Sequence, residues 1–184
     1  MIAVCGLKNS GKTTLLAGLV ERCAAYGLKT AAIKHDGHDF TCDVPETDSY
    51  RLKEAGAFGV AVFSENRVFI HKETKGRLPA EELIRQFPEA DIVFVEGLKD
   101  SSYPKIEVIR KEISDAPVSN PEGRFLIATD WEPGRFQEET TDLNDIDTIF
   151  GKILDLKRSG LNLHRRSGTI VIKKERQHAK NCEI

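Results

Sequence analysis

The chain opens Met1-Ile2-Ala3-Val4-Cys5-Gly6-Leu7-Lys8-Asn9-Ser10-Gly11-Lys12-Thr13-Thr14, and the reading of this stretch decides the fold. Residues 1–5 form an apolar run of strand length. Leu15, Leu16, Leu19, Val20 and Cys23 then recur at helical spacing up to a stop at Gly27. Between them lies a complete G-x-x-x-x-G-K-[ST] pattern, in the strand, loop, helix order that a phosphate-binding loop needs. Gly6 and Gly11 let the backbone curl so that several N–H groups face one concavity, and the positive end of the following helix adds to its pull on anions. The candidate nucleotide-binding set is therefore Gly6, Leu7, Lys8, Asn9, Ser10, Gly11, Lys12, Thr13 and Thr14. Lys12 is expected to reach the β- and γ-phosphates as a candidate catalytic cation, Thr13 to ligate Mg²⁺, and Thr14 to add a hydroxyl at the α-phosphate. A glycine-rich turn spelling the motif by chance would lack the flanking strand and helix.

Working outward, Asp91-Ile92-Val93-Phe94-Val95-Glu96-Gly97 reads as a buried strand with a carboxylate at its C-terminal tip. A P-loop protein keeps its metal-side acid at that place, which makes Glu96 the candidate metal ligand and catalytic acid. Asp91, at the opposite end, is read as a cap or surface residue. Residues 28–34 form another strand, ending in Lys34-His35-Asp36-Gly37-His38-Asp39-Phe40. Ligand sites in open α/β sheets gather at the carboxyl ends of strands, so Lys34, His35 and His38 join the candidate set, and Asp36 is a candidate carboxylate for a metal-bound water. A plain polar surface loop is the competing reading, and an H-x-x-H pair without cysteines is weak ground for zinc. Asp130 follows the short strand 125–129 and is a candidate for the guanine edge, with turn capping an equal alternative. The guanine-reading tetrapeptide N-K-x-D is absent from the chain.

At 184 residues, 40% hydrophobic and 30% charged, the chain has the composition of one soluble domain with a tail. No apolar run approaches a membrane span, and Lys8 interrupts the N-terminal apolar segment, so neither a span nor a signal peptide is expected and a cytoplasmic location is. Cys5, Cys23, Cys42 and Cys182 are scattered without a C-x-x-C pair and read as reduced thiols. Residues 60–64 and 67–71 flank Glu65-Asn66 as a β-hairpin, and its apolar edge calls for a covering partner. Helices are expected over 48–55, from Pro79 to Phe87 with Leu83, Ile84 and Phe87 on one face, and from Asp145 through Leu154; residues 105–110 form a further strand. The expected architecture is α/β: a three-layer P-loop NTPase fold with a mostly parallel sheet and a hairpin extension, spanning residues 1–156. Residues 157–184 hold eight Lys or Arg against two Glu, a net +6, whereas residues 1–156 hold 19 basic against 27 acidic side chains, a net −8. Such a tail suits an acidic partner surface or is merely a solvated extension, and the absence of interleaved aromatics argues against nucleic acid. Residues 169–172 could add one strand.

Several stretches together resemble the molybdopterin-guanine dinucleotide biosynthesis adapter proteins, the MobB family. They are the N-terminal loop, Ile33-Lys34-His35 with His38, Asp48-Ser49-Tyr50-Arg51 through Glu54-Ala55-Gly56-Ala57, Val95-Glu96-Gly97-Leu98-Lys99 and Pro104-Lys105-Ile106-Glu107. The resemblance implies a GTP-binding protein of weak GTPase activity that assists the guanylyltransferase joining GMP to molybdopterin. It also implies a homodimer built partly through an extended β-hairpin, and molybdopterin is itself a candidate ligand. By position, residues 6–14 take the family's triphosphate loop, Lys34, His35 and His38 its second motif, and Glu96 its strand-end acid. Two features depart from the pattern: Gly37 stands where bulkier, often histidine, side chains are expected, and the basic tail is longer than the family domain needs. The alternative is a small P-loop kinase acting on a small molecule or nucleoside. It would require an arginine-bearing lid, whereas Arg110, Arg124 and Arg135 are scattered.

Overall fold

The computed structural model describes residues 1–37, 40–76 and 78–159. In chain order its elements are β1 (Ile2–Cys5), α1 (Lys12–Ala25), β2 (Thr30–Lys34), α2 (Asp48–Glu54), β3 (Gly59–Phe63), β4 (Val68–Lys72), α3 (Ala80–Ile84), β5 (Ile92–Glu96), β6 (Lys105–Ile109), β7 (Arg124–Thr129), β8 (Thr140–Asp142) and α4 (Ile146–Arg158). They fall into two units, Met1–His35 with the chain from Glu89 onward, and Asp36–Pro88. The expected residues 169–172 strand and Cys182 lie outside the described residues.

In the first unit six parallel strands run in the order β2-β5-β1-β6-β7-β8. All four residues of β1 are buried, as expected for a central parallel strand covered on both faces. Its neighbours are β5, with Val4 opposite Glu96, and β6, with Cys5 opposite Glu107. One face of the sheet presents Ile2, Val4, Phe94, Ile106, Val108 and Leu126 to Leu15, Leu16 and Leu19 of α1 and Ile149, Phe150 and Ile153 of α4. The two helices come close because residue 18 is glycine: a Cβ there would lie 3.0 Å from Ile146 Cδ1. Arg22 then reaches Asp147 at 2.5 Å and lies over the Phe150 ring, and Tyr26 meets the same ring edge-on at 5.3 Å. Asp145 caps α4 by accepting from the Thr148 amide at 3.0 Å, which holds its carboxyl below the usual range.

The other face of β6 carries Lys105 and Glu107, and both are fully buried. Lys105 Nζ donates to the carbonyls of Ser101 (2.5 Å), Asn120 (3.1 Å) and Glu122 (2.5 Å). Glu107 accepts from the amides of Val118 (2.6 Å) and Ser119 (3.2 Å), from Ser119 Oγ (2.5 Å) and from Arg124 Nη1 (3.0 Å). Arg124 also pairs with Glu138, whose carboxyl it holds below the ordinary range. β6 therefore alternates between an apolar core face and a satisfied polar face that binds down residues 101–122. Beside this network, burial pushes the Cys5 thiol up to about 11, so it is inert at neutral pH.

Three readings of the chain change in detail. β8 is a polar three-residue edge strand that the sequence pattern does not announce. α3 ends at Ile84 instead of reaching Phe87, because the next amides turn back in short bonds (Gln86 to Leu83, Phe87 to Ile84) ahead of Pro88. α4 continues to Arg158, past the expected helix end at Leu154. At the end of the sheet away from the strands' carboxyl ends, Met1, Asp91, Leu156 and Lys157 line one shallow depression, where burial and Lys157 depress the Met1 amine.

The second unit holds α2, capped by Thr47 Oγ1 on the Tyr50 amide at 3.4 Å, and the antiparallel pair β3–β4. Ser64 N donates to Arg67 O at 2.8 Å, which closes Glu65-Asn66 as a two-residue turn. Phe58, Phe63, Val68 and Ile70 are each at least 66% exposed on this hairpin and its approach, an apolar surface of the kind that marks an interaction site.

Glu107→Gln removes the carboxylate facing a guanidinium that is only 6% exposed. The expected cost is about 3 kcal/mol of unfolding free energy. Urea denaturation measures it, and an unchanged midpoint would contradict a structural role for the network.

Candidate phosphate-binding site

The loop after β1 is shaped by positive φ angles at Gly6 (138°), Asn9 (64°) and Gly11 (98°). At Gly6 glycine is obligatory, since a Cβ would lie 2.4 Å from the Val108 carbonyl oxygen of β6 and 2.9 Å from Ser10 Oγ. Gly11 then serves as the N-cap of α1 without any side-chain cap, and no acidic residue stands in the first helical turn. The first-turn amides and the positive helix end are left facing the concavity, as an anion site requires. Ser10 is 1% exposed, and its Oγ has no hydrogen-bond partner among the described residues. A hydroxyl buried to that degree asks for a ligand oxygen or a water.

Lys12 Nζ arches over the loop and donates to the Leu7 carbonyl at 2.7 Å. Thr13 Oγ1 donates to Glu96 Oε2 at 2.9 Å, joining residues 83 positions apart in sequence. This contact follows from topology: β5 is the immediate neighbour of β1, so its last residue ends beside the loop. Lys34 stands opposite Glu96 in the β2–β5 register, and the His35 amide donates to the Glu96 carbonyl at 2.9 Å. Gly97 (φ 111°) allows that approach, since a Cβ there would meet His35 O at 3.0 Å. Lys34, His35 and Glu96 thus share the carboxyl end of the sheet, with Glu96 against Thr13 of the loop and Lys34 and His35 one strand further out.

The donor chemistry fits a polyphosphate with a hard cation. Thr13 and Glu96 supply one hydroxyl and one carboxylate, and Mg²⁺ characteristically takes its remaining ligands from phosphate and water. No group of three His, Cys, Asp or Glu able to cage a metal occurs among the described residues. Asp36 begins the second unit, where it is exposed, and His38 lies outside the described residues. Asp130, at the end of β7, uses Oδ1 to accept from the Lys111 amide at 2.7 Å, the turn-capping role weighed from sequence. β7 is two strands from β1, so Asp130 sits about 10 Å from the loop. Next to it Trp131 donates to the Ser114 carbonyl at 3.0 Å, and the Lys111 ammonium and Arg135 guanidinium lie 5.8 and 5.0 Å from its ring centre. Sequence reasoning passed over Arg110: it directly follows β6, and its Nη2 lies 3.2 Å from where a Gly11 Cβ would be.

A parallel sheet with a phosphate loop leaving its central strand, and an acid closing the neighbouring strand onto that loop, defines a P-loop NTPase-like protein. Within that class the chain belongs to the MobB family: the model of molybdopterin guanine dinucleotide synthesis protein B matches residues 1–130. The chain is 32% identical over 151 residues to the molybdopterin-guanine dinucleotide biosynthesis adapter protein of Haemophilus influenzae, covering 81% of this chain and 84% of that one. It is 32% identical over 157 residues to the protein of the same description from Escherichia coli, covering 81% and 88%. The crystal structure of Bacillus subtilis MobB shares the fold with a TM-score of 0.65 at 23% identity, over 84% of this chain and 95% of that one.

Gly6→Ala forces the loop away from Val108. Loss of about 1–3 kcal/mol of stability and of phosphate binding is expected, read by thermal melting and calorimetry. Wild-type melting with intact binding would show that the close approach is dispensable.

Proposed function

We propose that this chain is a GTP-binding adapter in molybdopterin-guanine dinucleotide synthesis, with slow Mg²⁺-dependent GTP hydrolysis, and that its partner is the molybdenum cofactor guanylyltransferase. The observation that carries the nucleotide reading is the Thr13–Glu96 contact on a phosphate loop, in a chain of this family. The adapter role is carried over from the printed description of the relatives. In this reading Lys12 faces the β- and γ-phosphates, Thr13 and Glu96 form the metal side, and Lys34 and His35 add contacts at the strand ends, while the roles read from sequence for Asp36 (a metal-bound water) and His38 remain proposals on the sequence pattern alone. Asp130 addresses the guanine edge with the carboxylate oxygen not engaged by Lys111. Molybdopterin is a further ligand reached through the partner. The proposed setting is the cytoplasm; among the described residues no helix is long and apolar enough to cross a membrane.

Lys12→Ala is expected to weaken GTP at least about tenfold, or 1.4 kcal/mol, without unfolding the protein. Glu96→Gln should instead lower Mg²⁺-dependent turnover far more than Mg²⁺-free binding. Wild-type turnover is expected at about 10⁻⁴ to 10⁻² per second, the range of unassisted P-loop GTPases. Calorimetry and phosphate release read these quantities; a Glu96→Gln protein with unchanged turnover and metal dependence would move the metal-side role to another carboxylate.

The exposed apolar hairpin supports a homodimer. Light scattering at micromolar concentration should give twice the 20.5 kDa chain mass. A monomer at that concentration removes the argument.

A further inference from the structure

We propose that Arg110 is a phosphate-contacting cation that holds the polyphosphate chain from the β6 side, across the loop from Glu96. This deepens the nucleotide-binding reading and rests on it. Strand order provides the geometry: β1 lies between β5 and β6, so the residues ending those two strands flank the loop on opposite sides. Glu96 ends β5, and Arg110 directly follows β6. The carbonyl of Arg110 accepts from the amides of Ile113 (2.8 Å) and Ser114 (2.9 Å), so the turn that carries the side chain is fixed. Its guanidinium lies against the start of α1, with Nη2 3.2 Å from the position of a Gly11 Cβ. Any larger residue at position 11 would meet it.

The side chain is placed there without a counter-charge. Arg110 Nε is buried with no hydrogen-bond partner, and Arg110 makes no ion pair among the described residues. Arg124, on the next strand, also has an unpartnered Nε, but its Nη1 and Nη2 are held by Glu107 and Glu138, whereas Arg110 has no carboxylate partner among the described residues. Ser10 Oγ, in the same loop, is a second buried polar atom without a partner. Arg110 is half-buried, with only its Nε out of water and unpartnered, and a buried polar atom without a partner carries a cost that a bound acceptor would remove. A phosphate oxygen answers both, because the planar fork of N–H donors matches phosphate geometry. The arrangement would divide the work: Thr13 and Glu96 would hold a cation on one side of the loop, and the Arg110 guanidinium would meet phosphate oxygens on the β6 side.

The test uses the full chain, with inorganic tripolyphosphate and GTP as probes, each with and without Mg²⁺, on wild type, Arg110→Met, Arg110→Lys and Lys12→Ala. Arg110→Met should weaken tripolyphosphate and GTP alike by about tenfold, and Arg110→Lys should fall between it and wild type. Melting of the Arg110→Met protein without probe should be unchanged or higher, while the melting shift produced by tripolyphosphate shrinks. Wild-type affinity for tripolyphosphate in Arg110→Met, alongside its loss in Lys12→Ala, overturns the proposal. Failure of Arg110→Met to fold, or a lower melting temperature with unchanged binding, assigns Arg110 to the scaffold and overturns it as well. Wild type that binds tripolyphosphate through Arg110 but GTP no more tightly than ATP would sink the guanine reading and leave Arg110 in place. Binding of neither probe to wild type would sink both.

Discussion

The phosphate loop depends on how closely Gly6 lies to the Val108 carbonyl, where even a methyl group would stand 2.4 Å from oxygen. That approach turns the chain sharply out of β1 over β6, and it delivers Ser10, Gly11 and the start of α1 to the carboxyl end of the sheet. The position of Val108 is set in turn from the far face of the same strand, where Lys105 and Glu107 are bound into residues 101–122. Such a buried ionic network contributes little net stability against an apolar core of the same volume, because desolvation offsets most of the attraction. What it provides here is position: one arrangement of donors and acceptors holds β6, which runs to Ile109, beneath the loop.

How legible this was in the sequence follows from the range of each interaction. The phosphate loop is local chemistry, with strand, glycines, lysine and helix within one short stretch, and the structure places these elements where the pattern predicts. Glu96 was legible too, because a strand apolar throughout and closed by an acid is a strong pattern and the acid's place depends only on β5 being the neighbour of β1. The buried state of Lys105 and Glu107 was not, since alternating charge in a strand ordinarily marks a solvated face; here the partners are backbone and side-chain groups up to 17 residues away, which no periodicity encodes. Arg110 looked like one of several scattered arginines because its meaning comes from lateral strand order alone. β8 escaped notice because three polar residues carry no pattern, and its pairing is dictated by β7.

Electrostatics across the sheet follow the same strand logic. Acids are placed where a donor or a cation can meet them: Glu96 at the neutral Thr13 hydroxyl, Glu107 and Glu138 on Arg124, Asp147 on Arg22, Glu139 on Lys152. The surface pairs among these contribute little individually, whereas the Glu107–Arg124 pair is almost wholly removed from solvent and acts as a geometric specification. The hairpin unit differs in character, with its larger apolar side chains turned outward instead of into a core. The first unit holds the phosphate loop, and the second holds an exposed apolar surface.

The shallow depression shared by Met1, Asp91, Leu156 and Lys157 has a practical meaning for anyone who wishes to attach this protein to something. It puts residue 1 and the end of α4 side by side at the amino ends of the strands, with the length of the sheet between them and the phosphate loop. An anchor or a fluorophore joined at either of these positions would therefore leave the loop facing away from the attachment point, and a surface coated in this way would present every molecule with its phosphate-binding end outward.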